Sequence, residues 1–260
     1  MKLLQASGIS LAFKGVRALD NVDLAIDQGE LVGIIGPNGS GKSTLFNVLS
    51  GIYRCDAGTI HLDGAPIGGL APSRIAQRGL VRTFQNKRLF GSMSVLENVL
   101  VAALKSQAGS PLGDVFGLTR SKQGMSRGLE LARRCLDRVN LSSLAAVQAR
   151  DLPYGAQNRL EIARALALEP RLLLLDEPAA GLNPAERGEL RGLIEKVHSD
   201  GVTIVLVEHD VRMVTGLCRR VLALDHGVKI ADGPSEEVVN NPQVLEAYFG
   251  DVQSEEASHA

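Results

Sequence analysis

The chain has no tryptophan, and aromatic residues of all kinds make up only 3% of its 260 positions. Proteins that hold single-stranded nucleic acid depend on aromatic faces for stacking, and nucleic-acid binders in general carry a basic excess. Here 28 lysines and arginines face 29 aspartates and glutamates, a formal net charge of −1. Both shortages count against a nucleic-acid partner. Long apolar runs are also missing, and no stretch approaches the ~20 residues that a membrane-spanning helix needs. The N-terminal MKLLQASGISLAFKGV is too short and broken in its apolar part to read as a signal peptide. Cysteine is scarce: Cys55, Cys135 and Cys218 form no CxxC pair and are odd in number. They read as free thiols of a cytosolic protein. Cys135 shares a helical stripe with Leu129, Ala132, Leu136 and Val139, so core packing accounts for it.

What is present is enough apolar material, 45%, to bury a sizeable core. The opening residues alternate in short strand-like stretches, LLQASGISLAF and NVDLAID. LVGIIG at 31–36 is a continuous apolar run, as for a strand buried on both faces of a parallel sheet. KSTLFNVLSG reads as a short helix stopped by Gly51, and TIHLDG at 59–64 as another strand. From about Phe90 to Val147 the texture becomes helical, with QAGSPLGD as a loop inside it. Strand texture then resumes in LLLLD at 172–176 and VTIVLVEHD at 202–210, with the amphipathic PAERGELRGLIEKVHSDG between them. VLALDHGVKIADG predicts two strands around a tight His-Gly turn. The pattern predicts an α/β fold, mostly parallel, with an N-terminal antiparallel β part and a helical segment inserted at about 87–160. One domain is expected over 1–250, with 251–260 a mobile tail.

The strongest local signal is GPNGSGKST at 36–44, which fits GxxxxGK(S/T). In such a loop the backbone curls so that successive N–H groups face phosphate oxygens, and the following helix adds the positive end of its dipole. The cradle comprises Gly36, Asn38, Gly39, Ser40, Gly41, Lys42, Ser43 and Thr44. Lys42 reaches the β- and γ-phosphates, and the Ser43 hydroxyl can hold Mg²⁺. LLLLDEP places Asp176 and Glu177 at the carboxyl end of a buried strand, where parallel sheets bind ligands. Asp176 would hold Mg²⁺ and Glu177 would polarise an attacking water. A guanine-reading NKxD is absent, and no arginine-bearing lid marks a second phosphate pocket, which disfavours a GTPase or a small-molecule kinase.

Taken together the motifs resemble the ATP-binding subunit of ABC transporters over roughly residues 3–250. In chain order the matches are Phe13 in SLAFKGVRAL, GPNGSGKST, Gln85 in RTFQNKRLF, LPYGAQ, LLLLDE, AAGLNP and His209 in VLVEHD. The resemblance implies that Phe13 stacks on adenine and that Gln85 reaches Mg²⁺ and the attacking water. It also implies that His209 contacts the γ-phosphate and orients Glu177. The helix start at Tyr154 and Gly155 would point across a dimer at the ATP held by the partner's loop. The usual signature LSGGQ is altered: Pro153 stands for Ser, Tyr154 for the first Gly and Ala156 for Gln. Gly155 is expected to keep the backbone accessible, and Pro153 to push Leu152 into an extended conformation. The form L-x-Y-G, together with VRTFQNKRLF, DEPAAGLNP and the ending NNPQVLEAYFG, resembles the subgroup serving importers of branched-chain (hydrophobic) amino acids. Importers for urea or short amides look similar and stay open at this point, as does a soluble ABC ATPase acting on DNA or ribosomes. The latter usually carries two ATP sites in one chain, and this chain has one.

The resemblance further implies ATP and Mg²⁺ as ligands, and a second copy or a paralogous ATP-binding subunit as partner. It implies transmembrane permease subunits too, indirectly a solute-binding protein, and a peripheral position on the cytoplasmic face of the cell membrane. A basic run of Arg120, Lys122, Arg127, Arg133, Arg134 and Arg138 reads as a solvated helical face or as a surface near anionic headgroups.

Overall fold

The computed structural model describes residues 1–83, 89–107 and 119–258. The chain begins with β1 (Lys2–Phe13) and β2 (Val16–Asp27), followed by β3 (Leu31–Ile35) and α1 (Lys42–Leu49). Next come β4 (Ala57–Leu62), β5 (Ala65–Pro66), α2 (Pro72–Gln77) and β6 (Leu80–Arg82). The helical stretch supplies α3 (Val95–Gln107), α4 (Thr119–Arg138) and α5 (Tyr154–Leu166). The sheet resumes with β7 (Leu172–Asp176), α6 (Pro184–Ser199), β8 (Thr203–Val207) and α7 (Val211–Leu217). The end is built from β9 (Arg220–Asp225), β10 (Val228–Pro234), α8 (Ser235–Val239) and α9 (Pro242–Ser258). The last helix runs past Gly250 to Ser258, through the segment expected as a tail.

The described residues form two sheets. One is antiparallel, in the order β2-β1-β4-β5; the other is ordered β10-β9-β3-β8-β7-β6 and is parallel except where β10 meets β9. The apolar runs of the second sheet are buried on both faces, and the period of two divides them between two cores. Leu173, Leu175, Ile204, Leu206, Val221 and Ala223 join α3–α6 in one core. Their neighbours Leu172, Leu174, Val205, Val207, Leu222 and Leu224 join α1 and the antiparallel sheet in the other. Helix α1 is thus sandwiched, with Leu45, Phe46 and Leu49 fully buried. The helical segment is not walled off: Val95, Val99, Ala132 and Leu136 share a continuous core with the parallel sheet.

The predicted His-Gly turn is present, with His226 at φ 43° and Gly227 at φ 80°, the left-handed pair that tight hairpins favour. Cys135 and Cys218 are buried free thiols, Cys55 is partly exposed, and burial pushes the Cys135 thiol up to about 11. In the basic run, Arg127, Arg133 and Arg134 are exposed, and Arg138 pairs with Asp200 at 2.6 Å. The side chains of Arg120 and Lys122 lie outside the described set.

Candidate nucleotide site

The parallel strands β3, β7 and β8 end on the same side, and their ends carry the site. After β3 the chain turns at Gly36 and winds back into α1, leaving a cleft of about 260 Å³. Its walls are Ala18, Asn38, Gly39, Ser40, Gly41, Lys42, Ser43, Thr44, Glu177 and His209. The first N–H groups of a helix have no intrahelical carbonyl to bond, so the start of α1 presents donors to this space. The Lys42 ammonium crosses the loop, donating to the carbonyls of Gly36 (2.7 Å) and Pro37 (2.8 Å). Burial lowers its pKa, opposed by the charges of Glu177 and Asp176. The loop is thereby held open around a cation.

Gly36 stands behind the cleft rather than in its wall. Its φ is 151°, and a Cβ there would sit 2.2 Å from the Leu224 carbonyl oxygen. Its N–H donates to the hydroxyl of Tyr248 at 2.8 Å. The glycine at this position lets the chain leave the sheet and curl into the loop.

The parallel register of β7 and β8 sets Asp176 opposite Val207, so Glu177 and the residues after Val207 leave the sheet side by side. The Glu177 N–H donates to the Val207 carbonyl at 2.9 Å, holding Glu177 at φ 48°. That backbone is unfavourable for a non-glycine residue. It brings the Glu177 carboxylate to His209, with Oε1 and Nε2 2.6 Å apart. The carboxylate is buried and the imidazole half exposed, so the pair faces solvent through the histidine.

Asp176 is buried as well. One oxygen, Oδ2, accepts from Arg82 Nη2 at 2.6 Å, and Arg82 also donates to Asn47 Oδ1 at 2.7 Å. Next to His209, the buried Glu208 accepts the Ala179 N–H at 2.7 Å, tying the end of β8 to the loop after Glu177. Burial pushes the Glu208 carboxyl up to about 7, with Glu177 adding to the shift and the N–H donors of Ala179 and His209 opposing it. Arg82 and Glu208 escaped the reading of the sequence as site residues. Both lie inside the motifs VRTFQ and VLVEHD, but nothing in their spacing shows that the fold carries Arg82 to Asp176.

Helix α5 opens at Tyr154 after Pro153, which has φ −55° and provides no side-chain cap, and Leu152 is extended at ψ 142° as expected. The expected accessibility of Gly155 is not found: it is buried. A Cβ on it would meet Glu186 Oε1 at 2.6 Å. Glu186 closes the capping box of α6 with Asn183, so the missing side chain makes room for a neighbouring helix start. The exposed members are Pro153 and Tyr154, and the Tyr154 ring lies against the Cα side of Gly181.

Phe13 ends β1 outside the cleft wall, 43% exposed, with Tyr53 edge-on at 5.2 Å between centroids. Tyr53 was not anticipated. Gln85 lies outside the described residues. Just beyond it, Phe90 is pinned to α3, with its N–H donating to Asn98 Oδ1 and its carbonyl accepting from Asn98 Nδ2.

A family profile described as ABC transporter matches residues 19–180. A second, described as branched-chain amino acid ATP-binding cassette transporter, matches residues 228–253. The chain is 42% identical over 250 residues to the high-affinity branched-chain amino acid transport ATP-binding protein BraF of Pseudomonas aeruginosa, covering 96% of this chain and 98% of that protein. The same figures describe its match to LivG, of the same description, from Escherichia coli K12. Among solved structures, the ADP conformation of an ATP-binding cassette of an ABC transporter superposes with a TM-score of 0.83 at 31% identity, covering 96% of this chain and 99% of that one. A dimeric cassette in a post-hydrolysis state, bound to ADP and Pi, gives 0.75 at 26% identity over 89% of this chain and 98% of that one. With its phosphate loop, its Glu177–His209 pair and these relatives, the chain belongs to the ATP-binding cassettes of ABC transporters, in the branched-chain amino acid group, and is an ATPase of that family.

Proposed function

We propose that this cassette powers import of branched-chain or other hydrophobic amino acids. In this reading it works as a pair, with a second copy or a paralogous ATP-binding subunit, on separate membrane subunits at the cytoplasmic face of the cell membrane. The observation that carries the hydrolytic part is the 2.6 Å contact of Glu177 with His209 in the wall of the phosphate-loop cleft. The solute class is supported by the 42% identity to BraF and LivG. No helix among the described residues is long and apolar enough to cross a membrane. A solute-binding protein would deliver the amino acid to the membrane subunits, and this chain would not touch it.

In the proposed roles, Glu177 polarises the attacking water and His209 holds that carboxylate while facing the γ-phosphate. Lys42 turns from the loop carbonyls to the β- and γ-phosphates. Phe13, braced by Tyr53, offers a π-face to adenine. In the sequence Gln85 comes just before the helical segment, and in the proposed role a shift there would move what is docked beyond Phe90. Ser43 and Asp176 supply a hydroxyl and a carboxylate, hard oxygen donors that suit Mg²⁺. Bound there, Mg²⁺ would offset charge on the phosphates.

Lys42→Ala is expected to weaken ATP and ADP binding by roughly 10–100-fold, the worth of a charge-assisted hydrogen bond. Titration with a fluorescent nucleotide reads this, and an unchanged affinity would remove Lys42 from the role. The dimer is tested at Pro153. Aspartate is a favoured N-cap, so Pro153→Asp leaves α5 at least as well started, yet sets a carboxylate where the partner's triphosphate would lie. In a Glu177→Gln background, ATP should drive dimerisation with Pro153 present and fail to do so once Pro153→Asp is added, while nucleotide affinity holds. Light scattering distinguishes the two, and equal dimerisation would rule out a phosphate contact by this helix start. For the solute, ATP-dependent uptake of leucine into vesicles carrying the whole complex is expected. Uptake of urea or acetamide instead would overturn the amino-acid reading.

A further inference from the structure

The hydrogen-bond ladder of β3 ends at Ile35, which pairs with Ala223 of β9. Gly36 then leaves the sheet, and its N–H has no strand opposite to receive it. A backbone N–H away from water needs an acceptor. Here the acceptor comes from 212 residues further along the chain: the phenol oxygen of Tyr248, on α9, at 2.8 Å. Tyr248 is half-buried and packs against the core that α9 shares with β9 and β10. Burial raises its pKa, opposed by the Gly36 bond, so the phenol stays neutral and able to donate as well as accept.

The same C-terminal unit grips the other end of the loop. The Gly227 N–H, in the β9–β10 turn, donates to the Ser40 carbonyl at 3.0 Å, and the Asp20 N–H donates to the Gly227 carbonyl at 2.8 Å. Between these anchors lies the segment that forms the cleft wall. Tyr248 falls within residues 228–253, the part matched by the branched-chain profile and outside the general ABC match.

We propose that Tyr248 is a positioning residue for the phosphate loop: its hydroxyl fixes the loop's entry at Gly36, so that α9 sets how tightly nucleotide is held without touching it. The inference rests on the loop being the nucleotide site. Tyr248→Phe removes the hydroxyl and keeps the packing ring. Loss of one neutral hydrogen bond at the entry of the loop is expected to weaken ATP and ADP binding by about three- to tenfold. In the assembled transporter KM for ATP should rise by the same factor, with kcat at saturation within about twofold. Amide hydrogen exchange of the peptide spanning Gly36 should speed up in the full-length nucleotide-free variant, while the core strands β7 and β8 keep wild-type protection. That last comparison separates a local effect from a loosened fold. Wild-type affinity and KM in Tyr248→Phe, alongside measurable nucleotide binding by the wild type, would overturn the proposal. So would a fall in kcat at unchanged KM, or exchange that rises equally across β7 and β8. Failure of the wild type itself to bind nucleotide would instead sink the site assignment beneath it.

Discussion

Glu177→Gln is expected to slow ATP turnover by about 10²–10⁴-fold, or ~3–5 kcal/mol of barrier, while ATP stays bound. The substitution keeps size and a side-chain oxygen, so the contact to His209 can persist in altered form, but an amide cannot take a proton from water. The carboxylate is well placed to be the group that matters. Its backbone is held at φ 48° by the N–H bond to Val207, and its Oε1 sits 2.6 Å from His209 Nε2 at the cleft wall. A non-glycine residue in that conformation costs about 1–3 kcal/mol and persists only where its surroundings over-determine it. Single-turnover hydrolysis in the assembled complex gives the chemical step, and a nucleotide titration gives the affinity. Turnover near the wild-type rate would remove Glu177 as the base.

The second large effect concerns stability and Glu208. Burial holds its carboxyl pKa up to about 7, against 4.5 for the free group. Between those values the folded chain keeps a proton that the unfolded chain has released. Stability therefore falls as pH rises through that window and levels off above about 7. The difference corresponds to an upper figure of about 3 kcal/mol at 1.36 kcal/mol per pKa unit. Glu208→Gln is neutral throughout and keeps an oxygen for the Ala179 N–H, so it should lose this dependence. Urea unfolding at pH 5 and pH 8 is expected to show the variant close to wild type at pH 5 and clearly more stable at pH 8. Equal pH dependence in the two proteins would mean that Glu208 ionises freely in the fold.

Phosphate-loop residues were legible from the sequence because their geometry is local. Glycine spacing, a strand before and a helix after are written within a few positions, and the structure builds the cleft wall from Asn38 to Thr44. The buried strands were legible for a similar reason: a parallel sheet covered on both faces needs uninterrupted apolar runs, which LLLLD and TIVLV supply. The His226-Gly227 turn announced itself through residues that tolerate a left-handed backbone. Even the altered signature placed its helix start correctly, since Pro153 limits both itself and Leu152.

Other features depended on which elements the fold sets side by side. Glu177 and His209 meet because β7 and β8 are parallel neighbours in the register that opposes Asp176 to Val207. Glu177's role was read from its place after a buried strand beside the phosphate loop, whereas His209's came only through resemblance. Gly155 has every local mark of an exposed backbone donor, yet the approach of α6 fills the space beside it with Glu186. Arg82 reaches Asp176 because β6 pairs with β7, and Glu208 is held by Ala179 because the loop after β7 folds over the end of β8. Tyr248 reaches Gly36 across almost the whole chain. What the sequence by itself determined was what backbone conformation and periodicity impose over a few residues: the loop, the strands, the turn and the helix start. Which carboxylate is paired, which is pushed up by burial and which hydroxyl closes the loop's entry were decided by tertiary packing. Burial and hydrogen-bond partners belong to neighbours in space, and spacing along the chain does not encode them.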